Sequence, residues 1–288
     1  MKVAEAYGPG KFGLSFELFP PKTPAGEAAL WRNLEELMEF RPSFVTCTYG
    51  AGGSTRDKTL EIVTEVRRRW GASVASHLTC VGATVEQLCQ YLRSAHERGI
   101  ENIVALRGDP PRGETTFMQV AGGLRYGNEL VALIRGQFPQ FGVAVAGYPE
   151  THQEAPSPEV DLQNLMRKVE AGADAVITQL FYDNADFFDF RKRCWTIGIR
   201  VPIVPGILPV TNLAQVQRIT SMCKARLPEK FLAQLQRADE DEAAQFEIGV
   251  AYAIEQVRDL LAAGVPGVHF YVLNKSPATV RVLEAVRA

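Results

Sequence analysis

Short apolar segments alternate with amphipathic segments along the whole chain. Eight runs rich in β-branched and aromatic residues lie at 14–19, 44–50, 74–80, 103–108, 143–149, 175–181, 203–208 and 268–274. Most of these runs are almost entirely apolar, which is typical of parallel strands that are covered on both faces. The segments between them have helical periodicity, as at Leu162, Leu165, Met166 and Val169. The pattern therefore predicts an α/β protein.

Glycines mark the ends of several predicted helices. Gly99, Gly172, Gly198 and Gly264 each follow a helical segment and precede a strand, where a left-handed residue commonly ends a helix. Eight strand–helix repeats predict a closed (β/α)8 TIM barrel rather than an open sheet. The interval between the seventh and eighth strands is longer and contains the charged stretch "RADEDEAAQ", so we expect extra helical material there. Without a linker or a low-complexity segment, residues 1–288 are expected to form one domain.

Composition excludes several classes of protein. The formal net charge is -2, and the sequence has no basic stripe of the kind that binds nucleic acid. Five cysteines without a CxxC motif argue against a disulfide framework or a cysteine-bound metal, and His77 and His152 have no carboxylate at metal-ligand spacing. No apolar run reaches the roughly 18 residues of a transmembrane helix, and no signal-peptide pattern is present. We expect a cytoplasmic protein with no membrane partner, no nucleic-acid partner and no metal.

Polar residues collect at the predicted ends of the strands. In a TIM barrel the carboxyl ends of the strands and the loops that follow them carry the chemistry. A polar group buried in an apolar strand costs about 1–3 kcal/mol unless it is paired, so a ring of such residues predicts a ligand cavity. The ring comprises Glu17, Thr48, Tyr49, His77, Thr79, Arg107, Asp109, Tyr148, Glu150, His152, Thr178, Gln179, Tyr271, Asn274 and Lys275.

Glu17 is the acid within the first apolar run. Burial disfavours the charged form of a carboxyl and raises its pKa, which suits a general acid that works near neutral pH. The alternative is a structural ion pair with an arginine such as Arg107. The residue pattern leaves both interpretations open.

Arg107 and Asp109 close the fourth strand. Arg107 could bind a phosphate or a carboxylate, and Asp109 could accept a hydrogen bond from a ring N–H group. The alternative, and by itself the commoner arrangement, is an internal pair between the two side chains. The glycine-rich segment 50–55 departs from the dinucleotide-binding fingerprint, so it indicates at most an anion-binding turn.

The helix predicted after Ser157 carries Asp161, Asn164 and Lys168 on one face, with Arg167 beside them. Contact with solvent is the default expectation for such a face. Because this helix closely follows the polar residues that end the fifth strand, contact with a ligand is the alternative.

Nine motifs, in order, resemble those of methylenetetrahydrofolate reductases, the flavin enzymes of one-carbon metabolism. They are "SFELFPPKT", "VTCTYGAGGSTRDKT", "HLTC", "IVALRGD", "YPETH", "DLQNLMRKVEAGAD", "ITQLF", "PGILPV" and "HFYVLN", and they extend from about residue 15 to residue 274. The resemblance implies a TIM barrel that binds FAD and reduces 5,10-methylenetetrahydrofolate to 5-methyltetrahydrofolate. It also implies ping-pong kinetics, with NADH or NADPH as the reductant in the same pocket.

The resemblance also implies roles for individual residues. Glu17 matches the general acid that protonates folate N10, and Asp109 matches an aspartate that binds the pterin and lies near the flavin. Gln179 matches a pterin contact, and Gln215 and Lys275 match positions that hold the folate tail. The matched FAD-binding set is Thr48, Tyr49, Ala51, His77, Arg107, Gly108, Asp109, Tyr126, Gly127, Tyr148, His152, Asp161, Asn164, Arg167, Lys168 and Tyr271.

The chain departs from the family pattern at two positions. Ile219 lies where some bacterial members have an aromatic residue that stacks on the nicotinamide dinucleotide, and Lys275 lies where some members have arginine. The choice between NADH and NADPH is therefore open. Two other functions remain as alternatives: a pterin-binding methyltransferase barrel without flavin, and a non-catalytic barrel subunit. A homo-oligomer is expected, as for many such enzymes.

Overall fold

The strands of the protein form one parallel sheet that curves into a nearly closed barrel. The computed structural model describes residues 1–49, 55–110, 113 and 117–287. Within them the strands are β1 (Gly13–Leu18), β2 (Phe44–Cys47), β3 (Val74–Thr79), β4 (Asn102–Leu106), β5 (Gly142–Gly147), β6 (Ala175–Thr178), β7 (Ile203–Val204), β8 (Gly206–Ile207) and β9 (Gly267–Tyr271). Their order in the sheet is β7-β6-β5-β4-β3-β2-β1-β9-β8, and all pairs are parallel. The predicted TIM-barrel class is confirmed.

Pro205 divides the predicted seventh strand into β7 and β8. Proline has no backbone N–H group to donate to a neighbouring strand, so regular pairing stops there. β7 pairs with β6, and β8 pairs with β9. The Pro205 carbonyl still accepts a hydrogen bond of 3.0 Å from the backbone of His269. One interrupted strand thus joins the two edges of the sheet.

Helices precede β1, follow β9 and connect the consecutive strands between them, except β7 and β8. They are α1 (Val3–Ala6), α2 (Pro24–Met38), α3 (Arg56–Trp70), α4 (Val85–Glu97), α5 (Gly127–Gln137), α6 (Pro158–Glu170), α7 (Asn184–Thr196), α8 (Leu213–Cys223), α9 (Glu229–Arg237), α10 (Glu242–Ala262) and α11 (Pro277–Arg287). The helices α8, α9 and α10 lie between β8 and β9. Gly99, Gly172, Gly198 and Gly264 have φ values of 75°, 112°, 97° and 66°, so the predicted left-handed helix ends are confirmed.

Apolar side chains fill the amino-terminal end of the barrel. Val3 and Tyr7, from α1 and the residue after it, pack against Phe44, Val104 and other residues near the starts of the strands. A larger apolar layer separates the outer face of the sheet from the helices. Polar side chains of the barrel interior consequently gather toward the carboxyl ends of the strands. Among the described residues, no helix is long and apolar enough to cross a membrane.

Candidate active site

A cavity of about 990 Å³ opens at the carboxyl ends of the strands. Its volume is at the upper end of the roughly 300–1,000 Å³ that is usual for small-molecule and cofactor sites. Most of the residues predicted from the sequence line it: Glu17, Thr48, His77, Arg107, Gly108, Asp109, Tyr126, Gly127, Tyr148, His152, Asp161, Asn164, Arg167, Lys168, Gln179 and Tyr271. Nine of the fifteen strand-end residues in the predicted ring thus line one cavity, whereas Tyr49, Thr79, Glu150, Thr178, Asn274 and Lys275 do not.

Glu17 contacts two imidazoles inside the barrel. Its Oε2 atom lies 3.2 Å from His77 Nε2 and 3.5 Å from His269 Nε2, and its side chain is 20% exposed. Neither of these Nε2 atoms has another hydrogen-bond partner among the described residues, and each imidazole acts on Glu17 both through charge and as a hydrogen-bond donor. Burial is the largest single influence and would raise the pKa of the Glu17 carboxyl, but the two imidazoles together outweigh it and lower this pKa to about 2.

Two expectations for Glu17 were wrong for the same reason. Its pKa is lowered rather than raised, because β3 and β9 each place a histidine beside the carboxylate. Its ion-pair partners are these histidines, and no arginine pairs with it in the part of the chain that the structure describes.

Arg107 forms a bidentate ion pair with Glu154 in the loop after β5. Its two terminal nitrogens donate to the Glu154 carboxylate oxygens at 2.7 and 2.6 Å. The guanidinium carbon also lies 5.2 Å from the centre of the Phe117 ring. The internal pair between Arg107 and Asp109 is therefore not the arrangement found, and the exposed Asp109 lines the cavity without that partner.

Lys168 brings a partly buried ammonium group to the cavity from α6. Its Nζ atom donates to the carbonyl of Ala146 at 2.5 Å. Burial lowers the pKa of Lys168 to about 8, and the nearby Asp161 carboxylate opposes that shift. Asp161 itself accepts a hydrogen bond of 2.9 Å from the backbone of His152. The polar face of α6 thus faces the cavity rather than only solvent, as the alternative interpretation held.

Glu150 is a strand-end acid that lies outside the cavity lining. Its carboxylate accepts a 2.8 Å hydrogen bond from the backbone of Arg226, whose guanidinium pairs with Asp186 at 2.8 Å. Burial raises the pKa of Glu150 to about 7, and the negative charge of Asp186 adds to that shift. This cluster ties the loop after β5 to the connection between α8 and α9.

Comparison with known proteins identifies the family. The family model described as "Methylenetetrahydrofolate reductase" matches residues 2–287. The chain belongs to the methylenetetrahydrofolate reductase family.

Relatives of this methylenetetrahydrofolate reductase family member come from bacteria and plants. The chain is 40% identical over 267 residues to 5,10-methylenetetrahydrofolate reductase of Escherichia coli, a match that covers 93% of this chain and 88% of that protein. It is also 40% identical over 292 residues to methylenetetrahydrofolate reductase (NADH) 1 of Zea mays, covering 98% of this chain but 49% of the maize protein. The chain thus spans about half the length of the plant relatives that it matches.

One solved structure supports the fold assignment. An uncharacterized protein from Clostridium thermocellum, described as binding two copies of 5-methyl-5,6,7,8-tetrahydrofolic acid, superimposes with a TM-score of 0.62. The match covers 95% of this chain and 94% of that protein at 12% identity, so it concerns the fold alone.

Three of the described residues matched to the methylenetetrahydrofolate reductase pattern do not line the main cavity. Ala51 falls outside the described residues. Tyr49 is buried, and its hydroxyl donates to Thr79 Oγ1 at 3.1 Å instead of lining the cavity. Gln215 and Lys275 line a second cavity of about 290 Å³, and Tyr271 lines both cavities. The predicted folate-tail contacts are therefore adjacent to the main site and separate from it.

Sequence reasoning missed His269 and Glu154 as parts of this site. His269 lies two residues before Tyr271 on β9, so the alternation of side chains places both on the inner face. That period of two was the signal that could have found it. Glu154 lies in an irregular loop, where no periodicity indicates that its carboxylate turns toward Arg107.

Proposed function

We propose that the protein is an FAD-dependent reductase that converts 5,10-methylenetetrahydrofolate to 5-methyltetrahydrofolate with NADH or NADPH. The observation that carries the proposal is the placement of Glu17 and Lys168 in one cavity of a member of this family. Three strands separate β1 from β5 in either direction around the barrel when β7 and β8 are counted as one, so Glu17 on β1 and α6, which follows β5, lie on opposite sides. An acid and an anion-binding group can thus act on different parts of the ligands.

The cavity lining fits FAD in charge and in shape. Lys168 and Arg167 would hold the pyrophosphate, because they place two cations on one helix at the cavity. Gly108 has φ of 89°, and a Cβ atom there would lie 2.7 Å from Val81 Cγ1, so the backbone lines the cavity at a position that only glycine fits. The buried Nδ1 atom of His77 has no hydrogen-bond partner among the described residues, as expected for a group that awaits a ligand. Bound flavin would supply two-electron hydride chemistry.

Asp109 and Gln179 would bind the pterin ring of the folate. A carboxylate and an amide together provide acceptors and donors for the ring N–H and carbonyl groups. The Gln179 Oε1 atom already accepts a hydrogen bond of 2.9 Å from the backbone of Leu180, which fixes its orientation. The negative charge of Asp109 would also stabilise the cationic 5-iminium form of the substrate.

Glu17 would donate the proton to N10 that opens the five-membered ring of the substrate. With a pKa of about 2, its carboxyl is ionised in the free protein near neutral pH. A folate that enters the cavity would expel water, and loss of water disfavours the charged form of a carboxyl. We therefore propose that Glu17 takes up a proton when the substrate binds, and that it then passes this proton to N10.

The nicotinamide and the folate would occupy the cavity in turn, which gives ping-pong kinetics. Ile219 and Met222 of α8 form an apolar part of the lining, and Met222 is 58% exposed. Such a surface suits flat rings of either ligand. The maize relative is named as an NADH enzyme, which favours NADH over NADPH for this chain.

The visible absorption spectrum and the flavin content of the purified protein test the cofactor. We expect bound FAD, or uptake of added FAD, and weaker binding for Lys168→Met. Lys192→Met, which changes an exposed lysine of α7, is the matched control and should bind FAD normally. A protein that takes up no FAD would contradict the proposal and would favour the methyltransferase or the non-catalytic subunit. The homo-oligomer and the cytoplasmic location stay predictions, and light scattering of the purified protein tests the first.

A further inference from the structure

Tyr7 occupies a slot inside the amino-terminal end of the barrel. Its ring packs edge-on against Phe44 with the ring centres 5.8 Å apart. Gly13 and Gly267, which pair with each other at the starts of β1 and β9, leave room for this ring. A Cβ atom at either glycine would collide with it. The side chain is 2% exposed, and burial raises the pKa of its hydroxyl well above the usual value. Tyr7 is therefore held as a neutral phenol.

A line of hydrogen bonds runs from Tyr7 toward Glu17. The Tyr7 hydroxyl lies 2.7 Å from Ser15 Oγ, and Ser15 Oγ lies 2.7 Å from His269 Nδ1. Ser15 and His269 are register partners on β1 and β9, and both are fully buried. The other imidazole nitrogen of His269, Nε2, lies 3.5 Å from Glu17 Oε2.

The direction of donation along this line follows from the chemistry of its ends. A carboxylate only accepts, so a neutral His269 beside ionised Glu17 carries its proton on Nε2. Its Nδ1 atom then accepts from the Ser15 hydroxyl, and Ser15 Oγ accepts from Tyr7. In the reverse direction, Ser15 would donate to Tyr7, and the Tyr7 hydrogen would have no acceptor in the described part of the chain. A buried donor without an acceptor costs free energy. The buried Tyr7 hydroxyl therefore favours donation from Tyr7 to Ser15 and from Ser15 to His269 Nδ1.

We propose that Tyr7 and Ser15 are positioning residues that fix the Nε2–H tautomer of His269 and thereby set the proton affinity of Glu17 from inside the barrel. This inference rests on the proposed role of Glu17 as the general acid. With its Nε2 atom already protonated, His269 stabilises the carboxylate and does not accept a proton from Glu17. The proton that Glu17 takes up when the substrate binds is therefore available to N10 of the folate and is not transferred to His269.

Other titratable groups interact electrostatically with Glu17 and must stay unchanged in the test. They are His77 on β3, Tyr271 on β9 and Cys47 on β2. Burial, with a smaller influence from the Glu17 charge, raises the pKa of Cys47 and Tyr271 far above neutral pH, so both stay neutral in the working range. His77 is the other imidazole that acts on Glu17, and neither test variant alters it.

The first measurement is the tautomer of His269 by NMR of protein with ¹⁵N-labelled histidine. The chain has four histidines, and His269→Asn assigns the signal. We expect the Nε2–H tautomer in the wild type and a mixture in Tyr7→Phe and Ser15→Ala. Tyr91→Phe is the matched control, because it removes another buried tyrosine hydroxyl that lies 2.6 Å from a serine, Ser76. An Nδ1–H tautomer in the wild type, or an unchanged signal in Tyr7→Phe, would overturn the proposal.

The second measurement is the pH dependence of flavin reoxidation by 5,10-methylenetetrahydrofolate. A protonated Glu17 drives this step, so its rate falls as pH rises through the pKa of Glu17 in the complex. Loss of the fixed tautomer raises that pKa. The pH at which the rate falls should therefore increase by about 0.5–1 unit in Tyr7→Phe and Ser15→Ala. Flavin reduction by NADH should not change.

The two ideas fail in different ways. If wild-type protein binds no FAD or its flavin is not reoxidised by the folate, the proposed function is wrong, while the NMR result still tests the tautomer. If the wild type is active and the pH at which the rate falls does not change in either variant, the role of Tyr7 and Ser15 is wrong while the function stands. An equal change in Tyr91→Phe would also overturn their role.

Discussion

The proposed contact of Lys168 with the pyrophosphate predicts that FAD binding depends on pH. Its pKa is about 8 because the ammonium group is buried beside the cavity. A pyrophosphate next to this group would favour its charged form and raise the pKa. Binding of FAD to the wild type should therefore take up a proton above about pH 8, and the affinity should fall as pH rises.

The size of the effect follows from the pKa. If FAD binds only the ammonium form, the dissociation constant stays constant well below about pH 8 and then rises about tenfold for each pH unit, which corresponds to about 1.4 kcal/mol per unit. At about pH 9, the affinity should be roughly one tenth of that at about pH 7. Lys168→Met removes a charged donor and should weaken binding by about 10- to 100-fold near pH 7, with little further change as pH rises.

Titration of the apoprotein with FAD, followed by flavin fluorescence from about pH 7 to about pH 9, measures this dependence. Lys168→Arg is the matched control, because a guanidinium stays charged over this range. It should bind FAD with no dependence on pH in the range. A wild-type affinity that does not change between about pH 7 and about pH 9, or a slope that persists in Lys168→Met, would refute the assignment of Lys168 to the cofactor.

Three further predictions concern acids and a cation around the barrel mouth. Glu17→Gln should keep FAD and its reduction by NADH but lose folate reduction, and stopped-flow spectroscopy of each half-reaction checks this. Glu150 has a pKa of about 7, raised above its unfolded value by burial, so its contribution to stability is present at low pH and is lost as pH rises through 7. Glu150→Gln should therefore stabilise the protein by about 1 kcal/mol above that pH and change little near pH 4, as measured by urea unfolding. Lys275→Met should weaken binding of folates with longer glutamate tails, most strongly at low salt, and equal affinities for short and long tails in both proteins would contradict this.

The fold was predictable because local and global signals agree in this sequence. Buried parallel strands produce apolar runs, and left-handed glycines such as Gly99 and Gly172 end the helices between them. The predicted strands run one to three residues too far at their carboxyl ends. At the last strand the reason is local, because Leu273 and Asn274 have φ values of 49° and 55°, which no strand accommodates.

The main features of the site were predictable, whereas the pairing of its charges was not. The position of Glu17 followed from the strand pattern, but the sign of its pKa shift depended on His77 and His269, which are distant in the sequence and close in the barrel. Arg107 likewise pairs with Glu154, 47 residues away, rather than with the nearby aspartate. Ion pairs across a barrel depend on register and on loop conformation, and these are tertiary properties.

Anaerobic stopped-flow mixing tests the proposed reductase activity by following its two half-reactions one after the other. The FAD-loaded protein is first reduced with NADH and then mixed with 5,10-methylenetetrahydrofolate, while the flavin spectrum and the folate product are recorded. We expect the folate to reoxidise the flavin and 5-methyltetrahydrofolate to appear in equal amount. Reduced flavin that the folate leaves unchanged, or a protein that NADH cannot reduce, would contradict the proposed activity.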